Sequence, residues 1–201
     1  MPRDPQFYRH LILWAWCAWA LYWLVSSIGN KATQRREPLG SRLAYVLPLV
    51  LGGVLLGVRE LPWAALLGTR LWPRSFLVYC IGLLILLAGL AFAVWARMHL
   101  GRNWSGAVTV KEGHELIRTG PYRFVRHPIY TGILTAVIGT AVCSGTLRAV
   151  LGFALIASAL AYKLRKEEAF MREVFPGQYD TYRAEVPALI PFTKPRRSAG
   201  G

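Results

Sequence analysis

Between Gly113 and Gly132 the chain gathers two His, two Tyr, two Pro and three Arg, then runs straight into an apolar segment. Gly120-Pro121 is a turn signal, and the residue before each proline is pushed away from the α region. Pro128 suits the first turn of a helix, where its missing N–H is no loss, so His127 falls near the N-cap. Tyr130, three residues on, then lies on roughly the same face as His127. The unpaired N–H groups and positive dipole end of that helix favour an anionic group, and the rings of Tyr122 and Tyr130 offer faces to a cation. A ligand carrying both charges, a zwitterion or a sulfonium, fits such a pocket. The same residue types also serve plainer ends: Tyr and Arg anchor membrane helices at the interface, and a His caps a helix.

The elements that must hold this stretch are apolar. The 201 residues are 54% hydrophobic, with a mean hydropathy of +0.35, beyond a soluble average. Leu11–Ile28, Leu43–Val58, Ser75–Ala96, Ile129–Cys143 and Leu147–Tyr162 predict an all-α, polytopic membrane protein of about five spans. The second run is interrupted by Pro48 and Gly52-Gly53, and its 16 residues rise only about 24 Å. Arg59–Arg74 suggests an interfacial loop or a short amphipathic segment. Ser144-Gly145-Thr146 predicts the turn of a C-terminal helical hairpin. From Lys163 the last span continues as a charged helix until Pro176-Gly177, and a short helix follows around Tyr179–Glu185. The first apolar run lacks an obvious small-residue cleavage site, so no cleavable signal is expected.

The formal charge of +14 reflects 24 basic residues in short segments between apolar runs, which suits membrane lipids and argues against nucleic acid. Placing the C-terminus in the cytoplasm divides these residues eighteen to six in favour of that face. The chain is therefore expected to be a multi-pass protein of the inner or cell membrane, its polar stretch and charged C-terminal helix together on the cytoplasmic side. Cys17, Cys80 and Cys143 lie in apolar runs without metal-ligand spacing; they read as packing residues, and no metal site is expected. Glu167 and Glu168 sit just past the last span, where an unpaired charge is costly. Lys163 with Glu167 and Glu168 with Arg172 form i,i+4 pairs that satisfy these acids locally.

His114-Glu115-Leu116-Ile117-Arg118-Thr119-Gly120-Pro121-Tyr122, then Arg126-His127-Pro128-Ile129-Tyr130-Thr131-Gly132, resembles the signature of the isoprenylcysteine carboxyl methyltransferase family of integral membrane enzymes. Glu167-Glu168, Phe175-Pro176-Gly177-Gln178-Tyr179-Asp180-Thr181-Tyr182 and Val186-Pro187 are similar to its C-terminal signature, so the likeness covers Gly101 to Phe192. It implies that residues 1–201 form a single membrane methyltransferase domain. Within it, 1–96 is a three-helix membrane part, 97–192 a catalytic region with the cofactor pocket, and 193–201 a basic tail.

The resemblance further implies S-adenosyl-L-methionine as cofactor, bound without a dinucleotide-binding fold; no G-x-G-x-x-G motif after a strand is present. Its contacts fall on His114, Glu115, Leu116, Ile117, Tyr122, His127, Pro128, Ile129, Tyr130, Glu167 and Glu168. Catalytic roles fall on Lys163, Arg165 and Glu167. The family's arginine for the substrate carboxylate has Lys163 at its position, with Arg165 on another helical face, and a lysine lacks the bidentate fork. The implied reaction is methyl transfer to a lipophilic small-molecule or prenylated acceptor drawn from the bilayer. Methylation of phospholipid amines, a reductase using NADPH and an inactive basic scaffold remain alternatives, and the sequence leaves the oligomeric state open.

Overall fold

A computed structural model of the chain describes residues 4–28, 38–58, 66–101 and 116–193. Its helices are α1 (Pro5–Ser27), α2 (Leu39–Gly57), α3 (Phe76–Leu100), α4 (Pro128–Ser144), α5 (Leu147–Val174) and α6 (Gln178–Glu185), and no strand occurs among the described residues. The chain is thus an all-α, polytopic membrane protein, with α1, α2, α3 and α5 long and apolar enough to cross a bilayer. At 17 residues α4 rises only about 25 Å, short of the roughly 30 Å hydrocarbon core. Around the bundle large apolar side chains face outward, among them Trp14, Leu24, Leu47, Leu77 and Leu84, as lipid-facing helices require.

The second span is longer than its apolar run suggests: α2 carries through Pro48 as a continuous helix. Proline is tolerated in membrane helices where neighbours re-satisfy the freed backbone, and α5 lies against this one. Cys143 is buried as expected, but Cys17 and Cys80 lie exposed on outer helix faces, because apolar surroundings in a membrane protein include lipid as well as core.

Helix direction follows from the contacts. Tyr8 stacks on Tyr79 with centroids 4.3 Å apart, and Arg97 reaches the carbonyl of Ser26, so α1 and α3 run parallel. Gly82 meets Gly139 while Gly89 meets Gly132, making α3 and α4 antiparallel. Gly52 meets Gly152 and Lys163 lies over Tyr45, making α2 and α5 antiparallel as well. The C-terminal ends of α1, α3 and α5 therefore gather with the starts of α2 and α4 at one end of the bundle.

Small residues set these contacts. Lipid tails are as apolar as leucine, so membrane helices associate through close packing, and glycine lets backbones approach. A Cβ on Gly132 would lie 2.6 Å from the Gly89 carbonyl oxygen, and one on Gly139 would lie 2.5 Å from that of Gly82. Gly52 and Gly152 exclude each other's Cβ in the same way, each 2.8 Å from the partner's carbonyl oxygen. Trp16 ties α1 to α4, its Nε1–H donating to Thr140 Oγ1 at 3.0 Å. At the opposite turn Gly145 caps α4 with φ +61°, a left-handed conformation that glycine adopts freely. Around that hairpin Leu71 N donates to Gly145 O at 2.8 Å and Leu147 N to Thr69 O at 3.0 Å, latching the chain ahead of α3 to the α4–α5 turn.

Gly132→Val and Gly139→Leu should each lower stability in detergent by at least about 1–3 kcal/mol, the usual cost of overpacking. Gly53→Ala, whose Cβ would meet nothing within 4 Å, should be neutral or stabilising. Thermal melts followed by size-exclusion chromatography separate the two classes; equal losses in all three would contradict the close-packing account.

Candidate functional site

The start of α4 fixes the first half of the site. His127 is the N-cap and Pro128 the first helical residue, as the spacing requires, and Thr131 N donates to His127 O at 3.0 Å to begin the helix. Upstream, Gly120–Arg123 forms a 3-10 turn. Gly120 has φ +58°, and a Cβ there would lie 2.6 Å from the His99 ring, so both conformation and space demand glycine. The turn presents Tyr122, whose ring is buried near His99.

The second half comes from α5, which extends unbroken past the apolar run to Val174. Within six residues it carries Lys163, Leu164, Glu167 and Glu168. Glu168 is buried and held from three sides. Arg126 donates through Nε at 2.8 Å and through Nη2, Arg183 Nε approaches at 3.6 Å, and His127 Nε2 lies 3.4 Å away. Arg126 Nη1 also donates to the carbonyls of Arg183 (3.3 Å) and Val186, so one guanidinium joins the loop, α5 and the segment around α6.

Glu167 has a different neighbourhood. The Tyr130 hydroxyl donates to its Oε1 at 2.5 Å, His127 Nδ1 lies 3.6 Å from Oε2, and Lys163 Nζ lies 3.7 Å from Oε1. The Lys163 ammonium also sits over the rings of Tyr45 (5.3 Å) and Tyr130 (5.6 Å). Two aromatic faces and a carboxylate thus surround a cation. His127 stacks on Tyr130, centroids 5.6 Å apart and planes within 7°.

The imidazole lies between both carboxylates. Burial disfavours its charged form, but its contacts with Glu167 and Glu168 outweigh that and hold the His127 pKa above the ordinary 6.5.

After α6 the chain returns as a strap over the start of α4. Arg126 N donates to Pro187 O at 2.9 Å, His127 N to Ala188 O at 3.0 Å, and Thr131 Oγ1 to Leu189 O at 2.7 Å. The Tyr182 hydroxyl donates to Tyr122 O at 2.6 Å, and Arg118 packs its guanidinium over the Tyr182 ring. From the far side Arg97, buried in the last turn of α3, donates to Gly101 O at 2.7 Å and to Ser26 O.

Of the residues singled out in the sequence, Tyr122, His127, Pro128, Ile129, Tyr130, Lys163, Glu167 and Glu168 come together here. Leu116 and Ile117 are half-buried, and Ile117 packs on the same core. Arg165 is exposed and outside the cluster, while His114 and Glu115 lie outside the described residues. The Lys163–Glu167 pair forms as spaced, but Arg172 turns to Asp180 at 3.5 Å and leaves Glu168 to Arg126, Arg183 and His127. Three members carried no individual signal in sequence. Arg126 and Arg183 look like interfacial cations, and Tyr45 stands alone in an apolar run. Only the fold gives them partners.

The Isoprenylcysteine carboxyl methyltransferase (ICMT) family model matches residues 80–173, which include every clustered side chain from Tyr122 to Glu168. A probable protein-S-isoprenylcysteine O-methyltransferase of Oryza sativa subsp. indica is 30% identical over 131 residues, 64% of this chain and 68% of the relative. The chain belongs to the isoprenylcysteine carboxyl methyltransferase family. It is accordingly a membrane methyltransferase. Protein-S-isoprenylcysteine O-methyltransferase B of Arabidopsis thaliana is 27% identical over 151 residues, 74% of each chain. The solved eukaryotic intramembrane Ras methyltransferase ICMT aligns at a TM-score of 0.49 and 22% identity, over 79% of this chain and 55% of that one. The family match begins earlier than the motifs do, inside α3, where Gly82 and Gly89 position α4.

Two outcomes test this arrangement. Glu168→Ala should cost about 3–5 kcal/mol, because it leaves Arg126 charged and buried; equilibrium unfolding in detergent measures the loss. A raised folded-state pKa means that the His127 contribution is fully present below pH 6.5 and fades as pH rises through the folded value. Melting temperature should therefore fall on the alkaline side of 6.5 in the parent protein more steeply than in His127→Gln.

Proposed function

We propose that the chain transfers a methyl group from S-adenosyl-L-methionine to the carboxylate of an isoprenylcysteine-like, lipophilic acceptor at the cytoplasmic face of the membrane. The observation that carries this reading is the cation held between the Tyr45 and Tyr130 rings and the Glu167 carboxylate. Lys163 stands where a ligand's ammonium or sulfonium would be equally welcome, so the residues fit the donor.

The donor supplies an activated methyl group on a positively charged sulfur. Glu167 would hold its ammonium, and His127 with the first amides of α4 its carboxylate. Tyr122 and Tyr130 would offer ring faces to it, and Leu116 and Ile117, together with His114 and Glu115, would border the adenine. Glu168 acts through Arg126 and His127, keeping loop and strap in place, and is a positioning residue.

Lys163, once Glu167 has another cation, would turn to the acceptor's carboxylate and hold it by charge. Arg165, exposed on another face of α5, is the weaker candidate for that task. A carboxylate is already ionised at neutral pH and needs no base, whereas an amine must first lose a proton. The two acids beside His127 raise its pKa and so favour its protonated form, which cannot accept a further proton. This favours oxygen over nitrogen as the atom methylated. Glu167, His127 and Lys163 would contribute by alignment in a site that the strap and Tyr182 would shield from water. The excess of basic residues in the segments at this end supports the cytoplasmic placement.

Incubation with a radiolabelled methyl donor and an S-prenylated N-acetylcysteine should give a base-labile methyl ester. Lys163→Met should lower turnover about ten- to a hundredfold and Lys163→Arg should restore part of it, as expected for a hydrogen bond to a charged group. In calorimetry Glu167→Ala should weaken S-adenosylhomocysteine binding at least about tenfold. Label in ethanolamine lipids instead of ester would move the assignment to nitrogen, and unchanged binding in Glu167→Ala and His127→Ala would refute the donor site.

A further inference from the structure

At the other end of the bundle a cavity of about 770 Å³ opens between α1, α2, α4 and α5. Six of the chain's basic residues belong to this end by the topology above, and Arg9, Arg70, Arg74 and Arg148 all line this one cavity. The other two, Arg3 and Arg59, lie outside the described residues. Four guanidinium groups around one opening make a concentrated positive mouth. Asp4 is the single carboxylate among the described residues here, and it accepts from Gln6 N at 2.9 Å as the cap of α1. Among the described residues neither Arg9 nor Arg74 pairs with an acid. The latch of residues 69–71 on the α4–α5 turn fixes where Arg70 and Arg74 emerge.

Below the arginines the walls turn apolar, through Ile12, Trp16, Leu49, Val137 and Ile156. From Arg9 to Trp19, both in the lining, α1 climbs about 15 Å, the depth of one leaflet's share of a roughly 30 Å hydrocarbon core. The volume falls in the usual range of ligand sites, about 300–1,000 Å³. Trp19 adds an indole N–H that is buried without an acceptor among the described residues. A cationic rim over an apolar shaft one leaflet deep has the shape and charge of one kind of molecule.

We propose that this cavity seats an anionic phospholipid, its phosphate-bearing headgroup among Arg9, Arg70, Arg74 and Arg148 and an acyl chain in the shaft. A soluble anion would match the rim alone and leave the apolar walls facing water. A zwitterionic lipid would match the shaft but carry a cation into the arginines. The site is separate from the one built around Glu167, and it holds whether or not the acceptor assigned there is correct.

The test is lipid retention. The full-length protein is reconstituted with equal amounts of phosphatidylglycerol and phosphatidylcholine, re-extracted in mild detergent, and its bound lipid quantified by mass spectrometry. Phosphatidylglycerol should be enriched about tenfold, and the Arg9→Gln/Arg74→Gln double variant should bring the two lipids near parity. Gly57→Leu tests entry to the shaft independently, at its mouth. Gly57 lines the cavity and a Cβ there meets nothing within 4 Å, so the variant should fold, fill the space and lose retained lipid of both kinds. Equal retention of the two lipids by the parent, an unchanged ratio in the double variant, or undiminished lipid in Gly57→Leu would overturn the proposal. Release of the bound lipid by inorganic phosphate alone would reduce the site to an anion rim and overturn it as well.

Discussion

The buried contact between Arg126 and Glu168 holds the functional end of the bundle together. A guanidinium and a carboxylate removed from water are expensive to isolate, and they are tolerated because almost every polar atom finds a partner. Arg126 meets Glu168, Arg183 O and Val186 O, while Glu168 meets Arg126, Arg183 and His127. Loop, last membrane helix and C-terminal segment therefore share one electrostatic knot. His127 and Tyr130, which face Glu167, owe their orientation to it.

That knot stands on a scaffold with another physical basis. Along α3 and α4, and again between α2 and α5, glycines bring backbones together at distances that leave no room for a methyl group. Such contacts are stiff, and a bundle has few other sources of rigidity when its outside is as apolar as its inside. Tight packing at mid-bundle lets the charged residues at one end and the wide cavity at the other belong to the same small molecule.

Local signals carried much of this. The His127-Pro128 helix start, the Gly145 turn and the charged extension of α5 each depend on residues adjacent in sequence and form where spacing places them; the five apolar helices form too, but α1 begins at Pro5 and α2 at Leu39, ahead of their apolar runs. The convergence of Tyr122, His127, Tyr130 and Glu167 was legible through the order of their motifs. Partner choice was not. Glu168 has an arginine one turn along its own helix, yet takes Arg126, 42 positions away, because burial rewards the pairing that closes more hydrogen bonds. Tyr45 and Arg183 meet the site only through α2 and α6. The glycine contacts show in sequence merely as small residues, since closeness belongs to two helices at once. Arg165, which helical spacing already set on another face from Lys163, lies exposed there.

The strap has a consequence for how the molecule is made. Chains grow from the N-terminus, and the helices that enter the bilayer are synthesised before Pro187, Ala188 and Leu189 are joined on. Those three residues supply the acceptors for Arg126 N, His127 N and Thr131 Oγ1. Until they are added, Arg126 N, His127 N and Thr131 Oγ1 have their helix in place but not these acceptors. Closure of this end of the bundle therefore follows the laying down of its helices in the order of synthesis.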